Sequence, residues 1–158
     1  MSFLQPFFQW CDATWLGQAI RGVTWAFPLI ETIHILALAV LLGSILLINL
    51  RLLDLWIHGW TAAQMARVLS PYIWISLVVI VVSGVMLFLS EALKAFDNAA
   101  FLPKITLLIL ATLFHYTIYR KAAATEAEHP SALCKAAAVV SLALWFGVGV
   151  AGRAIGFV

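Results

Sequence analysis

The sequence predicts an all-α integral membrane protein, a four-helix bundle with a short N-terminal interfacial helix. Three observations predict it. Hydrophobic residues fill 65% of the 158 positions and charged residues only 10%, a balance outside the soluble class. The apolar residues gather in four runs, each near the ~20 residues that cross a hydrocarbon core of ~30 Å. Trp10, Trp15, Trp25, Trp56, Trp60, Trp74 and Trp145 cluster near the ends of those runs, where amphipathic rings anchor at headgroup level.

The first residues, with Phe3, Leu4, Phe7, Phe8 and Trp10 beside Gln5, Gln9 and Asp12, suit a helix lying in the interface and too brief to span. Met1 to Gln9 holds no Lys or Arg. A secretory signal has a basic start, so the mature chain is expected to keep this segment. The first span covers about 25–50 and could continue as helix to Ile57. Pro28 falls in its opening turns, where a missing N–H matters least. Arg51 and Asp54 are three apart, the spacing of an ion pair where the helix leaves the membrane.

Thr61 and Gln64 have the spacing of a capping box, which predicts a short interfacial helix before Pro71. The second span then runs over about 71–93, with Ser83 and Gly84 near its middle permitting close helix approach. A loop from Glu91 to Ala100 carries Lys94, Asp97 and Asn98. The third span covers about 103–120 and closes on Arg120 and Lys121. After a small, polar stretch, Ser131 is a suitable N-cap for the fourth span, about 132–157. Residues 1–158 read as a single transmembrane domain without internal repeats.

Four spans place both termini on one side. That side carries Arg21, Lys94, Lys104 and Arg153, against Arg51, Arg67, Arg120, Lys121 and Lys135 on the other. The positive-inside rule then puts the termini on the periplasmic side by a margin of one residue.

Several chemistries are excluded. The net charge of +2 is small and dispersed, with no basic stripe, so nucleic acid is not an expected partner. Cys11 and Cys134 fall on opposite sides of the bilayer, too far apart for one disulfide. Neither belongs to a CxxC or CxxCH pattern, which leaves covalent haem and a zinc knuckle unsupported. No phosphate loop, Ser-His-Asp set or paired carboxylates at common depth appear, and no catalytic residue is assigned.

Two histidines carry the functional expectation. His58 and His129 lie outside the apolar runs and read as solvated, whereas His34 and His115 interrupt spans one and three. An intramembrane imidazole needs a partner. Counted from the span starts, the two lie at similar depth on parallel helices, the arrangement of a bis-histidine haem b. Ala111 and Thr112 lie on the His115 face and leave room for a flat ring. Glu31, one turn before His34, would handle a proton or pair with a cation. Arg153 is that cation, or a fork for a haem propionate. The plainer alternative is that each histidine hydrogen-bonds across a helix interface; another metal or proton transfer are further options. Gly152 and Gly156 form a GxxxG that lets the fourth span pack closely.

The stretches WAFPLIETIHILALAVLLGSILLINLRLLD, FLPKITLLILATLFH and LWFGVGVAGRAIGF together resemble an uncharacterised bacterial family of small four-helix inner-membrane proteins, a domain of unknown function. The matching positions are Glu31, His34, Gly43, Leu50 to Leu53, Lys104, Gly152 and Arg153. The resemblance implies a four-helix fold and a bacterial inner-membrane location, and no established activity. A looser similarity runs to copper-resistance D-type and membrane protoporphyrinogen oxidase proteins, as analogy only.

The sequence thus leads to a haem b-binding electron-transfer subunit with His34 and His115 as axial ligands. Expected partners are the lipid bilayer, other membrane subunits or further copies of the chain, and a quinone or redox protein. A cofactor-free accessory subunit is the main alternative. A haem-dependent oxidase of a porphyrin-like or quinol substrate, using Glu31 for proton transfer, is the third.

Overall fold

In the computed structural model, residues 4–55, 59–127 and 129–154 are described. Four helices are long and apolar enough to cross a membrane: α3 (Ala26–Leu52), α4 (Ala62–Ser90), α6 (Phe101–Ala123) and α7 (Ala132–Ala154). They fit a multi-pass membrane protein. Three short helices, α1 (Gln5–Asp12), α2 (Trp15–Gly22) and α5 (Ala92–Asp97), sit at one end. In the bundle, α3 packs against α4 and α7, and α6 packs against α7.

The core runs down α3. Leu41, Ile45, Ile48 and Leu52 recur at helical spacing and are fully buried against Ile73, Leu77 and Ile80 of α4 and against Ala138, Trp145 and Val148 of α7. On the outer faces Leu36, Ile75, Leu113 and Phe146 are exposed, as lipid-facing positions of a spanning helix are. Helical pairing satisfies the backbone inside the spans, the condition for crossing hydrocarbon, apart from the bond that Pro71 removes from α4.

The ends differ from the sequence expectation in four places. Two short helices precede the bundle where one was expected, because Thr14 interrupts the run and caps α2, its Oγ1 accepting from the Gly17 N–H at 3.3 Å. The second span does not begin at Pro71. A single helix starts at Ala62, after the Thr61–Gln64 capping box, and carries Pro71 in its interior. Ala62, Ala63 and Met65 are buried, and the Ala63 N–H bonds the Thr125 carbonyl at 3.2 Å. Packing thus holds the helix across the one bond that proline removes. The segment expected as a loop after Glu91 contains α5. The helical extension of the first span toward Ile57 is also absent, since α3 ends at Leu52 and Asp54 takes a left-handed φ of 62°, a conformation that short polar residues tolerate. His58 and Gly156 lie outside the described residues.

An arginine secures each end. Arg21 reaches from α2 to the Ser90 carbonyl at 2.8 Å and to Asp12 at 3.1 Å, drawing the N-terminal helices onto α4. At the other end Arg51, only 2% exposed, donates from Nε to the Trp60 carbonyl at 2.5 Å and from Nη1 to Asp54 at 3.1 Å. The expected Arg51–Asp54 pair is therefore formed, and it closes the turn into α4. His129 joins it, its Nδ1 lying 3.1 Å from Asp54.

Two outcomes follow. Gly17 lies so close to α4 that a Cβ would stand 2.3 Å from the Leu89 carbonyl oxygen. Gly17→Ala is expected to cost about 1–3 kcal/mol, read as a lowered melting temperature in detergent. The His129 side chain bonded to Asp54 holds its carboxyl below the usual carboxylate value. A depressed folded pKa contributes stability that is present above the unfolded value of about 3.9 and is lost as pH falls below it. Melting curves from pH 6 to pH 3 should show that loss, and Asp54→Asn should flatten it.

Candidate functional site

His34 lies a third of the way along α3, half-buried where α3 meets α4. Its Nδ1 is 2.9 Å from Ser83 Oγ. The Ser83 hydroxyl has one proton, and it is directed at the Val79 carbonyl one turn back, 2.5 Å away. Serines in apolar helices bond their own backbone in this way. With that proton committed, the hydroxyl can only accept from His34. In the tautomer that this geometry favours, Nδ1 carries the ring proton and Nε2 keeps its lone pair. A histidine held by a fixed hydrogen bond at one nitrogen presents the other as a base or a metal ligand.

Glycine and lysine complete the surroundings. A Cβ on Gly84 would stand 3.3 Å from the His34 Cε1, so the absence of a side chain there lets α4 lie directly against the imidazole. Lys104 of α6 is half-buried. Its stem rests against α7, where a Cβ on Gly152 would be 3.5 Å from the Lys104 Cε. α3 and α4 thus meet at His34, Ser83 and Gly84, and α6 and α7 meet at Lys104 and Gly152.

His115 occupies a different locus. It opens a π-helical turn, His115–Tyr119, inside α6, a distortion often found at functional positions. It is buried against Tyr116 and Tyr119, each ring at 5.1 Å, and against Trp145 of α7 at 6.5 Å. Tyr116 in turn packs on Trp74 of α4 at 4.9 Å. His34 is level with Ser83 of α4, and His115 is near the level of Trp74. Between Ser83 and Trp74 lie two and a half turns, about 13 Å of helix axis.

Those levels separate the two histidines. One iron bonded to both rings needs their nitrogens about 4 Å apart, twice a metal–imidazole bond of roughly 2 Å. The structure does not bring His34 and His115 to that spacing. α3 and α6 stand at different heights against α7, Leu42 of α3 lying near Gly149 and Lys104 of α6 near Gly152. Ala111 is fully buried and Thr112 half-buried, one turn before His115; they belong to its locus and not to that of His34. Glu31 and Arg153 both lie on exposed faces. His129 is exposed beside Asp54, as a solvated histidine should be.

In the sequence, Ser83 and Gly84 read as packing residues, and Lys104 reads as a flanking charge and a matching position. A serine and a glycine in the otherwise apolar run that follows the histidine's own are the available signal. Among the described residues no group of three or more His, Cys, Asp or Glu side chains could hold a metal ion.

A family model described as a family of unknown function, DUF6644, matches residues 7–158. No curated protein matches, and no solved structure does. The looser likeness to copper-resistance D-type and protoporphyrinogen oxidase proteins gains no support from these comparisons.

Replacing Ser83 by Ala removes the acceptor for His34 Nδ1. The variant is expected to lose about 1–2 kcal/mol, the cost of an unpaired buried donor moderated by the membrane reference state. Thermal or denaturant unfolding in micelles measures it, and Ser83→Thr, which restores the hydroxyl, should recover most of the loss.

Proposed function

Because the chain belongs to the DUF6644 family, whose function is unknown, we propose an activity from its own geometry: a haem b-binding electron-transfer subunit of the bacterial inner membrane, with the iron on His34. The observation that carries this reading is the committed Nδ1 of His34, which leaves a basic Nε2 on a ring that Gly84 leaves room for. Ligating histidines are characteristically oriented by such an outer hydrogen bond. Lys104 supplies a cation inside the bundle for an anionic group such as a propionate. In this role it takes the place expected of Arg153, and His115 is not a ligand of the same iron.

Haem would supply one-electron chemistry at this position. The chain's own residues hold and orient it: Ser83 fixes the ring, Gly84 clears its face, Lys104 balances charge, and the apolar walls of α3 and α4 exclude water. Electron transfer to a quinone or a redox protein, within an assembly of membrane subunits, fits a protein whose connecting segments are too short for a soluble catalytic domain. The placement of Lys104 inside the bundle also removes it from the flanking charges. Arg21, Lys94 and Arg153 then face five basic residues on the other side, which supports periplasmic termini.

A cofactor-free accessory subunit is the second reading. The His34–Ser83 bond favours it too, since the same bond ties α3 to α4 as polar contacts in bundles do. The oxidase reading has less support, because Glu31 stands on the exposed face.

Optical spectra of the purified protein decide between them. The haem reading expects a Soret band and a reducible α-band, lost in His34→Ala and kept in His115→Ala. Loss of the spectrum in His115→Ala would restore a shared iron. Native protein purified from haem-replete cells without either band would leave the accessory reading.

A further inference from the structure

The second locus holds more unpartnered polarity than packing explains. Asn49 of α3 is 0% exposed, Tyr119 of α6 1%, Trp145 of α7 3% and His115 8%. Among the described residues, Asn49 Oδ1, Tyr119 Oη, Trp145 Nε1, His115 Nδ1 and Tyr116 Oη have no hydrogen-bond partner. Asn49 does reach Ser141 of α7, Nδ2 to Oγ at 3.4 Å, and Ser141 lies one turn before Trp145. Three helices and a π-helical turn therefore bring together buried polar groups that satisfy one another only in part. Buried polar atoms in folded proteins are overwhelmingly paired, and an unpaired set calls for a bound partner.

The chemistry of the set selects that partner. The Trp145 N–H can only donate and Asn49 Oδ1 can only accept, while the two phenols and His115 can do either. No carboxylate or ammonium is among them, which suits an uncharged occupant. It must donate and accept within one site, and it must fit among side chains that are almost wholly buried. We infer that His115, Tyr119, Trp145 and Asn49, with Tyr116 and Ser141, form an internal binding site for a small cluster of water molecules. Water with two to four polar partners is a regular structural component of buried polar sites. The π-helical turn serves this site by placing His115 and Tyr119 together at its edge, their rings tilted by 30°. Hydration there gives His115 a proton-exchanging environment within the membrane, at a level separate from His34 and independent of any ligand on it.

Hydroxyl-radical footprinting of the full protein in detergent, with isotopically labelled water as the source of oxygen, tests this. Radicals formed from bound water label adjacent buried side chains. Tyr119 and Trp145 are expected to be labelled despite their burial, while equally buried Ile45 and Ile48 are not. An absence of label at Tyr119 and Trp145, with exposed Trp10 labelled normally, would overturn the inference. Tyr119→Phe supplies an independent sign. Removing a hydroxyl bonded to water should lower the melting temperature by about 2–6 °C, whereas removing an unpartnered hydroxyl from a dry core should raise it, which also overturns the site.

Discussion

In a bilayer, a polar side chain inside a helix bundle has only the bundle to bond with. That constraint organises this molecule. Many polar groups in the spans fold back on their own helix or are matched across an interface, while those around His115 are paired only in part. Ser76 and Ser83 bond carbonyls one turn earlier, Thr117 does the same, and Ser83 also reaches across to His34. The backbone is satisfied within each helix, so side chains such as these mark where sequence departs from the requirements of crossing lipid.

Two loci result, at different heights, with different chemistry. Around His34 the groups are partnered and directional: one hydrogen bond ties the ring to Ser83, and Gly84 lets α4 lie against it. Around His115 they are aromatic, uncharged and unsaturated in hydrogen bonds. The distinction assigns different roles to histidines that look alike in the sequence. An oriented ring with a free nitrogen suits ligation, and a crowded group of phenols, indole and amide suits bound solvent. Arginines at either end keep these loci in register. Arg21 ties the N-terminal helices to α4, and Arg51 locks the turn between α3 and α4.

Much of the architecture was legible because hydrophobic length and tryptophan position report the membrane directly. The Thr61–Gln64 capping box, the Arg51–Asp54 pair and Ser131 as the cap of α7, its Oγ accepting from the Cys134 N–H at 3.4 Å, are local features that neighbouring residues determine. Pro71 misled because its cost to a helix is set by the packing of Ala62, Ala63 and Met65, which depends on residues some sixty positions away, at Thr125. The site was half legible. His34 stood out as an anomaly in an apolar run, but its depth relative to His115 depends on how α6 is seated after α5, and counting from span ends does not contain that. Asn49, Ser141 and Tyr119 were hidden for a related reason: a single polar residue in a span signals little until tertiary packing brings several together.

The central claim is that Ser83, having committed its proton to Val79, fixes His34 with its proton on Nδ1 and its lone pair on Nε2. Nitrogen-15 NMR of histidine-labelled protein in bilayers reads this directly, with His34→Asn assigning the resonance. In ligand-free protein, the account predicts a neutral ring protonated at Nδ1, coupled to the Ser83 hydroxyl and lost to the ordinary Nε2-protonated form in Ser83→Ala. A ring already protonated at Nε2 in the unmodified protein would contradict it.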